Sequence, residues 1–292
     1  MIGAFALAFA CAFAWAGLDV FRKQLSAAIT PLPLVVLLNV GLLPVFAIWW
    51  LIAGGTITDF GAYAAPGGAA LGLQVIANLL FLSAVRASPL SLTIPFLALT
   101  PVFASFVAWA MLGERPGLVP LLGIAAVVGG ALALSSVGPK GRPRLLRVFV
   151  SERGAWMMTG VALCWGVSMV LDKRALDYAA VPVHALVQLT GLVAVVLGWV
   201  LISGRARELA GARAHLGKLG LATVTGAAAF GLQLVAVQYV LVSQLETIKR
   251  AIGLVSAIVL GQLVFGEAIT RIKLLTIAVM IAGVAALMWG GG

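Results

Sequence analysis

The residues best suited to binding a charged solute lie close together in the last quarter of the chain. Glu246, Lys249, Arg250 and Gly253 follow one another at helical spacing, which places all four on one face of a helix. Glu246 precedes Arg250 by four positions, the favourable order for an intrahelical ion pair. We predict that Glu246, Lys249 and Arg250 bind an anionic or zwitterionic solute, with Glu246 as a candidate proton carrier. The alternative is that the membrane span begins only at Ile252 and these charges lie at the membrane interface.

A second set of candidates occurs twice along the chain. Trp15 is followed by Lys23, and Trp165 is followed at the same distance by Lys173. Asp19 lies one helical turn after Trp15, on the same face. A tryptophan can wall a cavity for flat or amphiphilic solutes and can hold a cation over its ring. We predict binding roles for Trp15, Asp19, Trp165 and Lys173; the alternative is that they anchor helices at the membrane surface.

Amides and helix-bending residues supply the remaining candidates. Amides inside apolar segments either line a cavity or link neighbouring helices, and we predict that four of them line one: Gln74, Asn78, Gln233 and Gln238. Pro95 and Pro101 lie in one apolar segment, and Gly253 lies in the corresponding later segment. Proline frees backbone carbonyls and bends a helix, so we predict that these three residues take part in gating; a static kink is the alternative.

Composition shows which kind of protein must position these residues. Hydrophobic residues make up 63% of the chain, charged residues 10%, and the mean hydropathy is +1.15. A soluble domain carries about a quarter charged residues, so the sequence predicts an integral membrane protein. Its apolar runs are about 20 residues long, as helical spans require, whereas a barrel would show short alternating segments. The first run is expected to be a retained helix rather than a cleaved signal peptide.

The apolar runs form two sets of five. We predict an all-α integral membrane protein with ten transmembrane helices, arranged as two inverted five-helix repeats. The predicted spans are 2–21, 32–53, 66–85, 89–111 and 117–136 in the first half, then 154–171, 182–202, 217–241, 246–265 and 272–290 in the second. The predicted units are therefore residues 1–136, a basic connecting loop 137–153, and residues 154–292. Because five is odd, the two halves must have opposite orientations, with a substrate site between them.

Net charge and cysteine content limit which ligands and partners the sequence predicts. The net charge of +10 is carried mostly by loops, where basic residues set membrane topology, so no nucleic acid is expected. The loop charges place both termini outside the cytoplasm. Cys11 and Cys164, the only cysteines, lie within apolar runs and are expected to be core residues rather than a disulfide or metal pair. No metal site and no cofactor are predicted.

The repeated motifs resemble a known superfamily. Trp-x7-Lys near the end of the first helix of each half, and Gly113-Glu114 and Gly266-Glu267 before the last helix of each half, resemble the EamA-type drug/metabolite transporters over nearly the whole chain. The resemblance implies export or exchange of a small metabolite through a central cavity between the halves. It also implies termini in the cytoplasm, against the loop charges. The expected location is a bacterial-type cytoplasmic (inner) membrane.

Other function classes remain to be weighed. An intramembrane enzyme would need clustered acids or histidines, but His184 and His215 lie far apart and the chain has no phosphate-binding loop of the Gly-x4-Gly-Lys type. No enzymatic activity is expected. A flippase for a lipid-linked substrate is the main alternative to a metabolite transporter, and a non-transport membrane protein is the third. The expected partners are a small-molecule substrate, the lipid bilayer and, as the candidate coupling ion, protons; the expected state is a monomer.

Overall fold

The computed structural model describes residues 2–87, 94–136, 152–265 and 271–289. The described residues form ten α-helices and two 3-10 helices. In the first half the α-helices are α1 (Ile2–Ser26), α2 (Pro31–Ala53), α3 (Phe60–Ala87), α4 (Thr100–Leu112) and α5 (Leu118–Ser136). In the second half they are α6 (Arg153–Ala175), α7 (Val181–Ile202), α8 (Leu216–Ala236), α9 (Val242–Phe265) and α10 (Arg271–Trp289). One 3-10 helix, Ile94–Leu99, precedes α4, and the other, Ala206–His215, precedes α8.

Prolines and a glycine set several helix ends. Pro31 begins α2, Pro101 lies in the first turn of α4, and Pro182 lies in the first turn of α7, where the missing N–H costs no hydrogen bond. Gly113 ends α4 with a φ of 68°, and its N–H bonds to the carbonyl of Ala108. That left-handed conformation favours glycine, which makes Gly113 an effective helix stop.

Six helices are long and apolar enough to cross a membrane: Gly3–Ser26, Pro31–Ala53, Phe60–Phe81, Arg153–Ala175, Val181–Ile202 and Ala206–Ala236. Three shorter apolar helices accompany them: Phe96–Leu112, Leu118–Ala133 and Lys273–Trp289. The prediction of an all-helical, multi-span protein is confirmed to this extent. α9 carries three charged residues, Glu246, Lys249 and Arg250, in its first nine positions. The full number of ten spans remains a prediction.

Helices of the two halves pack mainly against each other. α1 packs against α8 and α9, and its counterpart α6 packs against α3 and α4. The pairs α2–α7, α4–α9 and α5–α10 bring counterparts together. Exchanging the halves maps this set of contacts onto itself, as a two-repeat architecture requires. A site in the middle of the molecule is therefore built by both halves.

Small residues allow these helices to approach closely. A Cβ atom on Gly166 of α6 would lie 2.9 Å from the carbonyl oxygen of Thr100 and 3.0 Å from the amide nitrogen of Ala104 on α4. No such atom fits against backbone, so glycine sets the spacing between α4 and α6. Many of the fully buried positions are alanines, including Ala8, Ala12, Ala104, Ala155, Ala229 and Ala236.

The connections between helices also join the two halves. The loop between α2 and α3 pairs with the loop between α6 and α7 through a single antiparallel bridge, Ile57 to Ala179. The Thr58 N–H donates to the Tyr178 carbonyl at 2.8 Å.

Another loop contact lies within the second half. At the other end of α7, Arg205 donates two hydrogen bonds to Glu208, at 2.7 and 2.8 Å. These bonds raise the pKa of the Arg205 guanidinium above its ordinary value.

The structure corrects three of the predicted spans. Predicted span 217–241 ends at Ala236, and the next helix begins at Val242 rather than 246, because the chain turns at residues 237–241. The described part of predicted span 89–111 is not one bent helix but a 3-10 helix followed by α4. The motif Gly266-Glu267 lies outside the described residues.

Candidate functional site

The charged residues predicted from the sequence lie within α9, where Glu246 is buried and Lys249 and Arg250 are partly buried. Because α9 begins at Val242, Glu246, Lys249 and Arg250 occupy its second and third turns, and Glu246 is only 1% exposed. The Lys249 ammonium donates to Glu246 Oε1 at 2.6 Å, while the Arg250 guanidinium lies 3.7 Å from Glu246 Oε2. The helix therefore begins before Ile252, and the depth of these charges in the membrane stays a prediction. We call these three residues the α9 charge cluster.

The two repeated tryptophans contact this cluster from opposite halves of the protein. The Lys249 ammonium lies 5.5 Å from the centre of the Trp15 ring on α1. The Arg250 guanidinium lies 5.4 Å from the centre of the Trp165 ring on α6. Both distances suit a cation over an aromatic face. The repeat in the sequence therefore places equivalent tryptophans against successive cations of one helix.

One of the predicted amides completes the group. Gln233 on α8 is buried, and its Oε1 accepts a hydrogen bond from the Lys249 ammonium at 2.6 Å. The α9 charge cluster, Trp15, Trp165 and Gln233 thus meet at the junction of α1, α6, α8 and α9. We call this set the central site.

The central site has polar atoms that no protein group satisfies. Within the described residues, Trp15 Nε1, Glu246 Oε2 and Arg250 Nε are buried without a hydrogen-bond partner. Two of these atoms are donors and one is an acceptor. A buried polar group left unpaired costs about 1–3 kcal/mol. The α9 charge cluster also carries one more positive than negative charge. Both features suit a solute that brings a carboxylate or phosphate together with a hydrogen-bond donor.

The other predicted binding residues of the first half lie elsewhere. Asp19 is exposed and pairs with Arg22 at 3.2 Å, and the Arg22 guanidinium lies 5.2 Å from the centre of the Trp15 ring. Gln74 and Asn78 are half-buried on α3, where the Asn78 amide donates to the Gln74 carbonyl at 2.7 Å. Within the described residues, none of these three bonds directly to a residue of the central site. Their binding roles stay predictions.

Gln238 is exposed in the turn after α8, and its amide donates to the Leu234 carbonyl at 3.0 Å. This amide differs from Gln233, which lies one and a half turns earlier on the buried face of α8. The sequence marked both as candidates, but the structure brings only Gln233 to the central site. Substrate binding by Gln238 stays a prediction.

Lys173 belongs to a different group of contacts. Its ammonium lies 2.7 Å from Glu114 Oε1 and donates to the Val240 carbonyl at 2.9 Å. The other oxygen of Glu114 accepts the N–H of Val242, the first residue of α9, at 2.9 Å. Glu114 therefore caps α9, a helix of the other half.

A cavity of about 420 Å³ opens beside this contact. Its lining residues are Met111, Leu112, Glu114, Lys173, Arg174, Asp177 and Leu241. The chain segments that line it are the ends of α4 and α6 and the start of α9. The cavity therefore lies at one end of the helix that carries the charge cluster.

The three predicted gating residues have distinct settings. Pro95 lies in the 3-10 helix Ile94–Leu99, and Pro101 lies in the first turn of α4, so Pro101 removes no hydrogen bond from a helix interior. The expectation that it bends a continuous helix is corrected. Gly253 is half-buried on α9, and nothing lies within 4 Å of the place where a Cβ would be. Gating by these residues stays a prediction.

The structure contains a further group of buried polar residues that the sequence analysis did not predict. Asp172 on α6, His184 on α7 and Tyr63 on α3 are all almost fully buried and hydrogen-bonded in a row. Asp172 and Tyr63 are respectively 12 and 121 positions from His184, so no local spacing could reveal them. The only available signal was a histidine in the first turn of an apolar span.

Comparison with known protein families identifies the family of this chain. The sequence profile described as "EamA-like transporter family" matches residues 2–136 and 152–289. The chain belongs to the EamA-like transporter family. This EamA-like protein is thus a multi-pass membrane transporter of the drug/metabolite transporter superfamily. The resemblance seen in the repeated motifs is confirmed.

Comparisons beyond the family profile establish the fold and no more. A solved structure described as "Crystal structure of protein" superposes on the EamA-like chain with a TM-score of 0.74, covering 100% of this chain and 98% of the other at 15% identity. No curated protein matches the chain.

Proposed function

We propose that the protein is a secondary transporter, acting as an exporter or exchanger of a small polar or amphiphilic metabolite. The solute crosses by alternating access, binding between the two repeats. The observation that carries this proposal is the central site: a buried cluster with an excess cation, held by tryptophans from both halves, in which one acceptor and two donors have no protein partner.

The chemistry of the central site favours a particular solute class. Arg250 and Trp15 offer N–H donors to a carboxylate or phosphate, and Glu246 Oε2 offers an acceptor to an amine or hydroxyl. The two indole rings suit a flat or apolar portion of the solute. An acidic or zwitterionic metabolite with an apolar side is therefore the proposed substrate. Binding between repeats also suits rocking of one half against the other.

The test is efflux from proteoliposomes loaded with a cell extract, read by mass spectrometry. The protein is expected to release a few acidic or zwitterionic solutes selectively. Arg250→Ala is expected to slow that release at least tenfold, because truncating a desolvated charged partner costs about 2–5 kcal/mol of binding. Lys249→Ala is expected to act in the same direction.

The matched control is Arg207→Ala, which removes an arginine exposed in the 3-10 helix Ala206–His215 and is expected to leave efflux unchanged. If Arg250→Ala and Lys249→Ala both release solutes like the unmodified protein, the central site is not the binding site. If the folded, unmodified protein releases nothing selectively, transport of a soluble metabolite is wrong and a lipid substrate becomes the better hypothesis.

A further inference from the structure

The buried row formed by Asp172, His184 and Tyr63 lies apart from the central site. His184 is fully buried, and Asp172 and Tyr63 are 2% and 3% exposed. The His184 Nε2 atom lies 3.1 Å from Asp172 Oδ1, and His184 Nδ1 lies 2.9 Å from the Tyr63 hydroxyl. All three residues lie within the first or last turns of their helices, at the end where the loops α2–α3 and α6–α7 meet.

A fourth residue extends the row. Gln188 lies one turn after His184 on α7, is 5% exposed, and its amide neighbours the Tyr63 hydroxyl. Its nitrogen donates to the Gly67 carbonyl at 2.9 Å, so its oxygen is turned away from Gly67. Within the described residues, Gln188 Oε1 is buried without a hydrogen-bond partner. The Tyr63 hydroxyl, whose partner is His184 Nδ1, does not reach this acceptor.

Charge shows what the row lacks. Neutral His184 leaves the Asp172 carboxylate as a lone buried anion, whereas protonated His184 makes an ion pair of no net charge. Buried charges are stable when paired and hydrogen-bonded. We propose that His184 and Asp172, with Tyr63, form a proton-binding site between the two repeats of the transporter. Histidine is the side chain that takes up a proton near neutral pH.

The charged side chains nearest the row form ion pairs with residues outside it. On α6, Lys173 is bound to Glu114, and Arg174 is bound to Asp177 at an exposed position. Tyr178, in the loop that follows, lies under the Arg174 guanidinium.

The other helices packed against the row add no competing charge. Asp59, before α3, accepts the N–H of Ala62. α2 and α4 carry no ionisable residue, α7 carries none besides His184, and the only one on α8, Lys218, lies at its opposite end. Arg250 on α9 contacts α6 at Trp165, two turns from Asp172. The Asp172 carboxylate is thus the charge that faces His184.

The location gives the proton a role in transport. Tyr63 lies on α3 and Asp172 and His184 lie on α6 and α7, so a transport movement that changes the packing of α3 against α6 and α7 would break the bond between Tyr63 and His184. A proton bound in one arrangement is then released in the other, which is how buried acids and histidines couple proton flow to transport. This coupling rests on the proposed function, whereas the proton site itself does not.

The protonation of His184 can be measured directly, because the chain has just one other histidine, His215. In the variant His215→Gln, nitrogen-15 NMR of histidine-labelled protein in lipid nanodiscs reports His184 alone. The signals of the protonated ring are expected to replace those of the neutral ring as the pH is lowered. With Asp172→Asn added, the ratio of protonated to neutral His184 at a given pH is expected to fall about tenfold, since the anion that faces the protonated ring is lost.

The matched control is Asn39→Leu, which also changes a polar side chain of an apolar helix but whose amide bonds only to its own helix, at the Val35 carbonyl. It is expected to leave the His184 signals unchanged. A ring that stays neutral at every pH at which the protein is folded, or one that responds identically in Asp172→Asn and Asn39→Leu, overturns the proposal. The pH response of the unsubstituted row decides alone where Asp172→Asn does not fold. No transported solute is present, so failure here leaves the central site untouched.

Discussion

At the scale of single residues, the central site depends on one acid serving two cations. Glu246 is 2.6 Å from the Lys249 ammonium but 3.7 Å from the Arg250 guanidinium. Lys249 is further engaged by Gln233, whereas the Arg250 Nε has no partner within the described residues. Arg250 is therefore the cation best placed to exchange a protein contact for a substrate contact.

Trp15 offers the solute both an aromatic ring and an N–H donor, and a substitution can remove the donor while keeping a ring. Trp15→Phe keeps an aromatic face toward Lys249 but removes the unpaired Nε1 donor. We expect the half-saturation concentration of the transported solute to rise about fivefold, since a net hydrogen bond is worth ~1 kcal/mol. The measurement is initial efflux rate against solute concentration in proteoliposomes.

The comparison variant is Trp109→Phe, because Trp109 is half-exposed on α4 and away from the central site. It is expected to leave the half-saturation concentration unchanged. Equal behaviour of Trp15→Phe and Trp109→Phe would show that the Trp15 N–H does not bind the solute.

At the scale of helices, Glu114 determines where α9 begins. Its two oxygens bind the N–H of Val242 and the ammonium of Lys173, at 2.9 and 2.7 Å. A carboxylate at a helix N-terminus satisfies an otherwise unpaired N–H and interacts favourably with the helix dipole. The contact also joins the end of α4 in one half to α6 and α9 in the other. It therefore holds the helix that carries the charge cluster.

Glu114→Ala removes both bonds and leaves Lys173 without its carboxylate. We expect a loss of about 2–3 kcal/mol of unfolding free energy, the range for buried hydrogen bonds to charged groups. The measurement is unfolding of the detergent-solubilised protein. Asp177→Ala is the control: it removes an acid from an exposed pair with Arg174, for which about 0.5 kcal/mol or less is expected. Equal losses in the two variants would contradict the role of Glu114.

At the scale of the whole molecule, the helices pack mainly across the two halves, so neither half forms a packed unit by itself. Each helix of the first half has its main packing partner in the second half. Large apolar side chains such as Phe13, Ile48, Leu51 and Phe106 remain exposed on the outside, where lipid replaces water. The described interior combines alanines with large apolar side chains such as Phe46 and Met158, and it encloses the central site and the row around His184.

The arrangement makes a prediction about membrane sides. α6 and α7 separate Arg153 from Arg207, so both arginines should lie on one side of the membrane, and Asp177, between the two helices, should lie on the other. Single cysteines at these exposed positions are expected to react with an impermeant reagent from two different sides. Cys11 and Cys164 are buried and give low background. Labelling of Arg153→Cys and Asp177→Cys from the same side would refute the two spans.

Composition and repetition were enough to predict an all-helical membrane protein built of two repeats. Apolar runs of about 20 residues can only be membrane helices when each backbone group must be satisfied within its own segment. The repeated Trp-x7-Lys motif predicted two related halves, and the helical spacing of Glu246, Lys249 and Arg250 predicted one polar face. These features are local or periodic, so they can be recognised without knowing which helices touch.

Tertiary structure alone decided which polar residues meet. Gln233 and Gln238 are amides of one predicted span, yet only Gln233 contacts Lys249, because the helix ends at Ala236 and leaves Gln238 exposed in the turn that follows. Glu114 reaches α9, and Tyr63 reaches His184, across more than 100 positions of chain. Such contacts depend on how helices of different halves pack, and apolar helices carry no periodic signal that specifies their partners.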